Sequence, residues 1–316
     1  MTILITGAAG YIGSVLINYL FSNHDKMFDK IIAVDSLMYN QTNLIQYCYL
    51  NKFEFYKLDV RDYDKILPLV QEADVIIPLA GIVGMPACEK YPELTVATNQ
   101  EAVQWLAKVT HPNQKIIFPT TNSGYGIGQD GIYCTEETPL NPISLYGITK
   151  AEAEKSLLLN GNAVTLRLAT VFGVSPRMRL DLLVNDFTYK AYKDKYIVLF
   201  ESHFKRNFIH IQDIAYTFVF TIKNFDKMKN KTFNVGLSSA NISKKELCEI
   251  IKKFIPDFYI AESEINEDTD KRNYIVSNNK LEALGWYPKF TLEDGIFELF
   301  KAYPIIKNSN NNFTNL

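Results

Sequence analysis

The sequence predicts an α/β fold built around a doubly wound parallel sheet, and two observations support this prediction. Six short apolar runs of strand length alternate with amphipathic segments of helix length through the first half of the chain. The apolar runs are continuous, which is typical of strands whose two faces are both buried in a parallel sheet. Regular alternation of strands and helices indicates a sheet with helices on both faces.

The predicted strands are the runs TILIT, IIAVD, FEFYKLD, DVIIPLA, KIIFPT and AVTLRLA. Helices are predicted between them over Tyr11–Phe21, Thr42–Leu50, Tyr63–Val70, Pro92–Lys108 and Leu145–Leu159. Beyond about residue 170 the alternation loosens. Shorter helices are predicted there over Asp181–Lys193, Lys244–Phe254 and Leu292–Ala302.

This change of pattern divides the chain into two predicted parts. We expect a large domain over residues 1–168, completed by about 207–236, and a smaller α/β part made of 169–206 and 237–303. The asparagine-rich stretch 304–316 has the polar composition of a disordered tail.

Composition and charge exclude several classes of function. The formal net charge of the 316 residues is −2, and no cluster of lysine and arginine interleaves with aromatic residues, so nucleic acid is not an expected partner. The first 21 residues are uncharged, but they lack a basic region and contain three glycines, which argues against a signal peptide or a membrane span. The four cysteines form no CxxC pair and the four histidines show no metal-ligand spacing. We therefore expect a cytoplasmic protein with reduced thiols and no metal site.

A glycine motif follows the first predicted strand in ILITGAAGYIGSVL. Glycines at this GxxGxxG spacing, between a strand and a helix, allow a tight turn and a close approach of backbone N–H groups to a pyrophosphate. The helix N-terminus adds a partial positive charge. A turn that binds no ligand is the simpler alternative. The residues predicted to contact a dinucleotide here are Gly7, Gly10, Tyr11, Ile12 and Gly13.

An acidic residue, Asp35, ends the second predicted strand, 22 residues after Gly13. A carboxylate at this place accepts hydrogen bonds from the adenosine ribose and repels a 2′-phosphate. The first arginine of the chain is Arg61, so no nearby guanidinium follows the motif in sequence. This charge pattern favours NAD over NADP, although Asp35 is also a common type of residue in a turn at the end of a strand.

A tyrosine and a lysine, Tyr146 and Lys150, lie at i and i+4 in SLYGITKAEAE and therefore share one face of a predicted helix. An ammonium near a phenol favours the phenolate and lowers the tyrosine pKa. Such a tyrosine can take the proton of a substrate hydroxyl while hydride leaves the same carbon. The YxxxK pattern alone is common by chance on solvated helices, but here it follows an independent dinucleotide motif.

Together these motifs resemble the extended short-chain dehydrogenase/reductase family, which contains nucleotide-sugar epimerases and dehydratases and has a Rossmann fold. The resemblance extends from Ile3 to about Trp286 and includes TGAAGYIG, LDVRD, PLAGIVG, TNQEAV, TTNSGYG, YGITK, RLATVFG and RNFIHIQD. It implies NAD contacts for Asp59, Val60, Leu79, Ala80, Gly81, Asn99, Thr120, Tyr146 and Lys150. It also implies that Thr121 and Tyr146 contact the reacting sugar hydroxyl.

The resemblance assigns the substrate side as well. It implies that Arg206 meets the diphosphate of a nucleotide sugar and that Arg272 lies near a second such position. A planar, permanently charged guanidinium suits that group. The further substrate contacts that the resemblance implies are Ser123, Thr170, Arg179 and Asn185. It also implies a homodimer formed through the helices Pro92–Lys108 and Leu145–Leu159.

The reaction is narrowed by Asn122 and Ser123, which follow Thr121 where dehydratases of the family carry acid–base carboxylates. Neither side chain shuttles protons at neutral pH, so a 4,6-dehydratase is disfavoured. Ser123 also replaces the cysteine of the family's C3/C5 epimerase–reductases.

Two reactions remain, net oxidation at C4 and 4-epimerisation, and resemblance to a GDP-heptose subgroup of polysaccharide biosynthesis favours oxidation. A non-catalytic NAD(P)-binding regulator is disfavoured because Tyr146 and Lys150 are both present.

Overall fold

The structure, a computed structural model, describes residues 1–263, 272–306 and 314–315. Its strands are β1 (Thr2–Thr6), β2 (Lys30–Asp35), β3 (Phe53–Lys57), β4 (Val75–Pro78), β5 (Lys115–Thr121), β6 (Tyr133–Cys134), β7 (Ala163–Leu168), β8 (Thr170–Phe172), β9 (Tyr196–Phe200), β10 (Lys205–His210), β11 (Thr232–Val235), β12 (Asn241–Ser243), β13 (Tyr259–Ser263) and β14 (Ile275–Val276).

The helices flank these strands. They are α1 (Tyr11–Asn23), α2 (Tyr63–Glu72), α3 (Met85–Lys90), α4 (Pro92–Val96), α5 (Ala102–Val109), α6 (Leu145–Asn160), α7 (Leu183–Lys193), α8 (Ile211–Lys223), α9 (Phe225–Met228), α10 (Lys244–Lys252), α11 (Asn279–Glu282) and α12 (Leu292–Ala302). Within the described residues, no helix is long and apolar enough to cross a membrane.

The central sheet is parallel throughout and has the strand order β11-β7-β5-β4-β1-β2-β3. The six predicted apolar runs supply β1, β2, β3, β4, β5 and β7, which confirms the predicted α/β sheet. The chain reverses direction across the sheet between β1 and β4. A doubly wound sheet opens a crevice at such a switch point, outside the carboxyl ends of the strands.

Alternate residues of the strands pack against opposite helical layers. Ile3 and Ile5 of β1 belong to the large core that includes α1 and α8. Leu4, between them, packs in a second cluster with Ile66 of α2 and Leu106 of α5. Burial on both faces explains why the strand sequences are continuously apolar.

One predicted helix is wrong and another is interrupted. The segment Thr42–Leu50 contains only a 3₁₀ turn at Ile45–Tyr47. Its polar side chains bond to the neighbouring loop instead, since Asn43 Nδ2 donates to Ala9 O at 3.2 Å. The predicted helix Pro92–Lys108 consists of α4 and α5 joined by a π-helical turn at Ala97–Glu101.

Most strands of the smaller sheets follow β7 in the chain, although β6, which pairs in parallel with β14, precedes it. Parallel β8 and antiparallel β12 flank β10, and β9 pairs in parallel with β13. Strand β10 crosses the predicted boundary between 206 and 207, while β11 extends the central sheet beside β7. The predicted domain boundaries stay predictions. Residues 264–271, 307–313 and 316 lie outside the described residues, so the disordered tail also stays a prediction.

Candidate active site

A cleft of about 1050 Å³ opens at the carboxyl ends of the central strands. The predicted site residues that line it are Gly7, Gly10, Tyr11, Ile12, Gly13, Asp35, Asp59, Val60, Leu79, Ala80, Gly81, Thr120, Thr121, Ser123, Tyr146, Lys150, Thr170, Arg179, Arg206 and Arg272. The predicted residues Asn99 and Asn185 are absent from this lining. The fold therefore brings most of the predicted constellation to one place.

The glycine loop has the geometry that a bound dinucleotide requires. Gly7 has a φ of +67°, and a Cβ at this position would lie 2.5 Å from Ala80 N. A Cβ on Gly13 would lie 2.5 Å from Gly7 O. Gly10 precedes α1 without any side-chain cap, so backbone N–H groups at this helix N-terminus remain for a phosphate. The residues present therefore fit a pyrophosphate.

We expect Gly7→Ala to lower NAD affinity at least tenfold. A left-handed φ costs a non-glycine residue about 1–2 kcal/mol, and the added methyl group also clashes with the backbone of Ala80. Isothermal titration with NAD measures the loss. Gly131→Ala is a matched control, because Gly131 has a φ of +70° but open space around its Cβ position. Equal loss of affinity in both variants would contradict a specific role for Gly7.

Two carboxylates lie at the predicted adenosine end. Asp35 accepts hydrogen bonds from Leu37 N at 2.8 Å and Ala9 N at 3.0 Å, and so ties β2 to the glycine loop. Burial raises the pKa of Asp35, while these hydrogen bonds oppose the shift. Asp59 accepts two hydrogen bonds from the Arg61 guanidinium, at 2.7 and 3.0 Å, which lower its pKa. Arg61 is thus engaged by Asp59.

A second arginine, Arg177, lies near the adenosine end of the cleft, although it is far from Asp35 in the sequence. Arg177 lines the cleft, and its guanidinium lies 4.9 Å from the centre of the Tyr39 ring. It is also close enough to Asp35 to lower the pKa of that carboxyl, against the larger effect of burial. Folding therefore brings a guanidinium close to Asp35, although no arginine is near Asp35 in the sequence.

Helix α6 carries Tyr146 and Lys150 into the other end of the cleft. The Ser144 side chain caps this helix by accepting from Gly147 N at 3.2 Å. Lys150 Nζ lies 4.0 Å above the centre of the Phe118 ring and makes no hydrogen bond within the described residues. Burial lowers the pKa of Lys150 to about 7, although Glu154 opposes this. The ammonium is available to ribose hydroxyls at this position.

The phenol of Tyr146 differs from the sequence-based expectation. Burial raises its pKa to about 12, with smaller opposing effects from Arg179 and Arg272. Lys150 is not among the groups that shift it. Desolvation disfavours the phenolate more strongly than the nearby cations favour it. Burial therefore favours the neutral phenol of Tyr146 over the phenolate.

A chain of polar side chains begins at Thr121. Thr121 Oγ1 donates to Ser123 Oγ at 2.9 Å and accepts from Ser123 N at 3.1 Å. The Arg272 guanidinium also donates to Ser123 Oγ. Asn122 is buried outside the cleft lining, and its amide atoms have no partner among the described residues. This loop places hydroxyls, not carboxyl groups, beside the catalytic pair.

Two residues that were predicted to bind the cofactor or the substrate, Asn99 and Asn185, use their amides in hydrogen bonds to other residues of the protein. Asn99 bonds to both the N and O atoms of Ile82, each at 2.8 Å, and so fixes the turn that follows β4. Asn185 bonds to Gly173 N, to Arg179 O and to the Tyr11 hydroxyl. The direct contacts predicted for these two residues have no support in this geometry and stay predictions.

The arginines on the substrate side differ in their partners. Arg206 is 2% exposed, donates to Lys205 O at 2.9 Å and lies 5.6 Å from the centre of the Tyr274 ring. Arg179 makes two hydrogen bonds to Asp181, at 2.5 and 3.0 Å.

Within the described residues, no cluster of histidine, cysteine, aspartate and glutamate is arranged to hold a metal.

Comparison with known proteins identifies the family of the chain. The model of the NAD dependent epimerase/dehydratase family matches residues 3–236, and the chain belongs to this family. It is an NAD-dependent enzyme of the extended short-chain dehydrogenase/reductase type.

Three similar proteins share between 24% and 28% sequence identity with this chain. The low-salt glycan biosynthesis protein Agl12 of Haloferax volcanii is 28% identical and covers 94% of this chain and 96% of its own length. A putative UDP-glucose 4-epimerase of Methanocaldococcus jannaschii is 25% identical over 93% of this chain and 95% of its own. The crystal structure of UDP-glucuronic acid 4-epimerase from Bacillus cereus has a TM-score of 0.83 at 24% identity and covers 96% of this chain and 99% of its own. This structural likeness shows the shared fold.

Proposed function

We propose that the protein oxidises the C4 hydroxyl of a nucleotide sugar to a ketone, with hydride transfer to NAD, in the biosynthesis of a surface polysaccharide or other glycan. The observation that carries the proposal is the joint placement of Tyr146, Lys150 and Thr121 in the cleft that contains the glycine loop. The name of Agl12 supports a glycan pathway. The names of the two epimerases support a nucleotide-sugar substrate.

The chain's own groups account for the proton movements of this reaction. Thr121 orients the sugar hydroxyl, and Tyr146 accepts its proton as the C4–H bond breaks. NAD supplies the hydride acceptor. Lys150 would hold the nicotinamide ribose and, when protonated, would stabilise the Tyr146 phenolate that accepts the proton. Arg206 lies in the cleft lining and is suited to the diphosphate.

The loop after Thr121 argues against elimination of water. A dehydratase requires a group that transfers protons beside the keto sugar. Asn122 is buried outside the cleft lining, and the Ser123 hydroxyl is held by Thr121 and Arg272. Neither residue is suited to deliver a proton to a leaving hydroxyl at neutral pH.

The fate of the keto sugar separates two candidate functions. In the first, which we favour, the ketone is released and the protein is a 4-dehydrogenase, with a GDP-heptose as the preferred substrate. In the second, the ketone is reduced again on its other face and the protein is a 4-epimerase. The second candidate is supported by the relative described as a putative UDP-glucose 4-epimerase.

The predicted homodimer is supported by an apolar surface beside α6. Ile148 and Leu159 on this helix are exposed, and Leu140, Pro142 and Leu158 extend the same surface. Exposed apolar patches of this kind suit a helix from another subunit. The dimer stays a prediction that light scattering of the purified protein would check.

The proposal is tested with sugars that carry deuterium at C4. Purified protein and NAD are mixed with UDP-, GDP-, CDP- and dTDP-linked sugars, including GDP-heptose and UDP-glucuronic acid. A dehydrogenase transfers deuterium to NAD and raises the absorbance of the reduced cofactor in proportion to product. An epimerase returns deuterium to C4 of an inverted sugar, which NMR detects. A product that keeps both the C4 deuterium and the original configuration at C4 would refute both candidates.

A further inference from the structure

Asn315 lines the cleft that contains the glycine loop, next to Thr314. Arg177 Nη2 donates to Thr314 O at 3.1 Å and to Asn315 Oδ1 at 3.2 Å. Asn315 Nδ2 in turn donates to Val83 O at 3.5 Å, and Asn315 itself lines the cleft. The Asn315 side chain therefore links Arg177 to Val83.

These two anchors belong to two different segments that contact the glycine-loop region. The segment that contains Arg177 packs on the first turn of α1, where Tyr11 donates to Gly173 O at 2.7 Å and Ser175 donates to Tyr11 O at 2.8 Å. Val83 follows β4 in the loop that begins at Ala80, and Ala80 packs against Gly7. The bridge made by Asn315 thus joins two segments that contact the glycine-loop region, in the cleft where a dinucleotide is expected to bind.

Arg177 provides an independent indication of a ligand. Its side chain is 6% exposed, and Nη1 and Nη2 are satisfied by Met178 O and by the Thr314–Asn315 pair. The Nε atom is buried without a partner among the described residues. A buried N–H without an acceptor is costly. An oxygen of a bound dinucleotide would satisfy this donor.

We propose that Asn315 is a cofactor-retaining residue, which with Arg177 closes over the dinucleotide on the glycine loop and slows its release. Dissociation of the cofactor requires the bridge to break, whereas first encounter with an open cleft does not. The bridge therefore affects mainly the dissociation rate of the cofactor. In the 4-dehydrogenase that we favour, the bridge slows the exchange of NADH between turnovers. In a 4-epimerase, it keeps one cofactor molecule bound through oxidation and re-reduction.

The test measures release of NADH from the full chain by stopped-flow fluorescence, with excess NAD as the competitor. We expect Asn315→Ala to release NADH about three to ten times faster, with little change in the association rate, because one or two hydrogen bonds are lost. Asn113→Ala is the control, since Asn113 is exposed and lies outside the cleft lining. Thermal unfolding of each variant establishes that it is folded.

A double substitution distinguishes loss of the contact between Arg177 and Asn315 from a general increase in the flexibility of the cleft. If the two side chains act as one unit, Arg177→Met with Asn315→Ala releases NADH no faster than Arg177→Met alone. Unchanged or slower release from Asn315→Ala would overturn the proposal, as would equal acceleration in Asn113→Ala. The measurement contains no sugar, so its outcome does not depend on which nucleotide sugar is oxidised.

Discussion

Tyr146→Phe is expected to lower kcat about 10³-fold and to leave NAD affinity within about twofold of the original. General acid–base catalysis by one side chain contributes about 10²–10⁴-fold. The substitution removes the only atom of the side chain that exchanges a proton and keeps the ring in its buried position. Single-turnover formation of the reduced cofactor, with the nucleotide sugar identified by the deuterium experiment, measures the chemical step.

A matched tyrosine makes this result interpretable. Tyr133 is exposed and lies outside the cleft lining, so Tyr133→Phe should retain full activity. If Tyr146→Phe keeps more than a tenth of the original kcat, the phenol is not the base and the mechanism is wrong. If it loses NAD affinity in parallel with kcat, its role is binding rather than proton transfer.

The pKa of Tyr146 gives this prediction a physical basis. Burial raises that pKa to about 12, and Arg179 and Arg272 lower it only in part. A neutral phenol is a poor base, so the residue needs a further positive charge close by before it can accept a proton. The oxidised nicotinamide ring carries such a charge, which makes proton transfer depend on cofactor binding.

The sequence was sufficient for the sheet and for most of the cleft because these depend on local signals. Continuous apolar runs predict strands buried on both faces, and glycine spacing predicts a turn that admits no Cβ. The steric reason appears only in the fold, where the position of a Cβ on Gly7 meets Ala80, a residue from another strand end.

Several contacts in the cleft depend on long-range folding. The Asn99 amide bonds to Ile82 in the loop after β4, and the predicted contact of Asn99 with the cofactor stays a prediction. The contact of Arg177 with Thr314 joins residues 137 positions apart. No periodicity or spacing in the sequence reports such a contact. The predicted helix Thr42–Leu50 failed because polar side chains found partners on neighbouring segments.

Arg167→Met is expected to destabilise the folded protein by about 3–5 kcal/mol, because it leaves the Glu154 carboxylate buried without its cation. Arg167 Nη2 donates to Glu154 Oε1 at 2.6 Å, and both side chains are less than 10% exposed. Arg167 Nη1 also donates to the Tyr125 hydroxyl at 3.0 Å and to Glu136 O at 3.2 Å. Urea unfolding followed by circular dichroism measures the loss.

The double variant Arg167→Met with Glu154→Leu is the decisive comparison. Replacing both members of a buried ion pair by apolar residues is often close to neutral, so the double variant should recover much of the stability. Glu154 lies one turn beyond Lys150 on α6, and Tyr125 ends the loop that carries Thr121 and Ser123. Arg167 thus links α6 to the loop that carries Thr121 and Ser123. We therefore expect the double variant to regain stability but not full kcat, and recovery of both would show that the pair serves the fold alone.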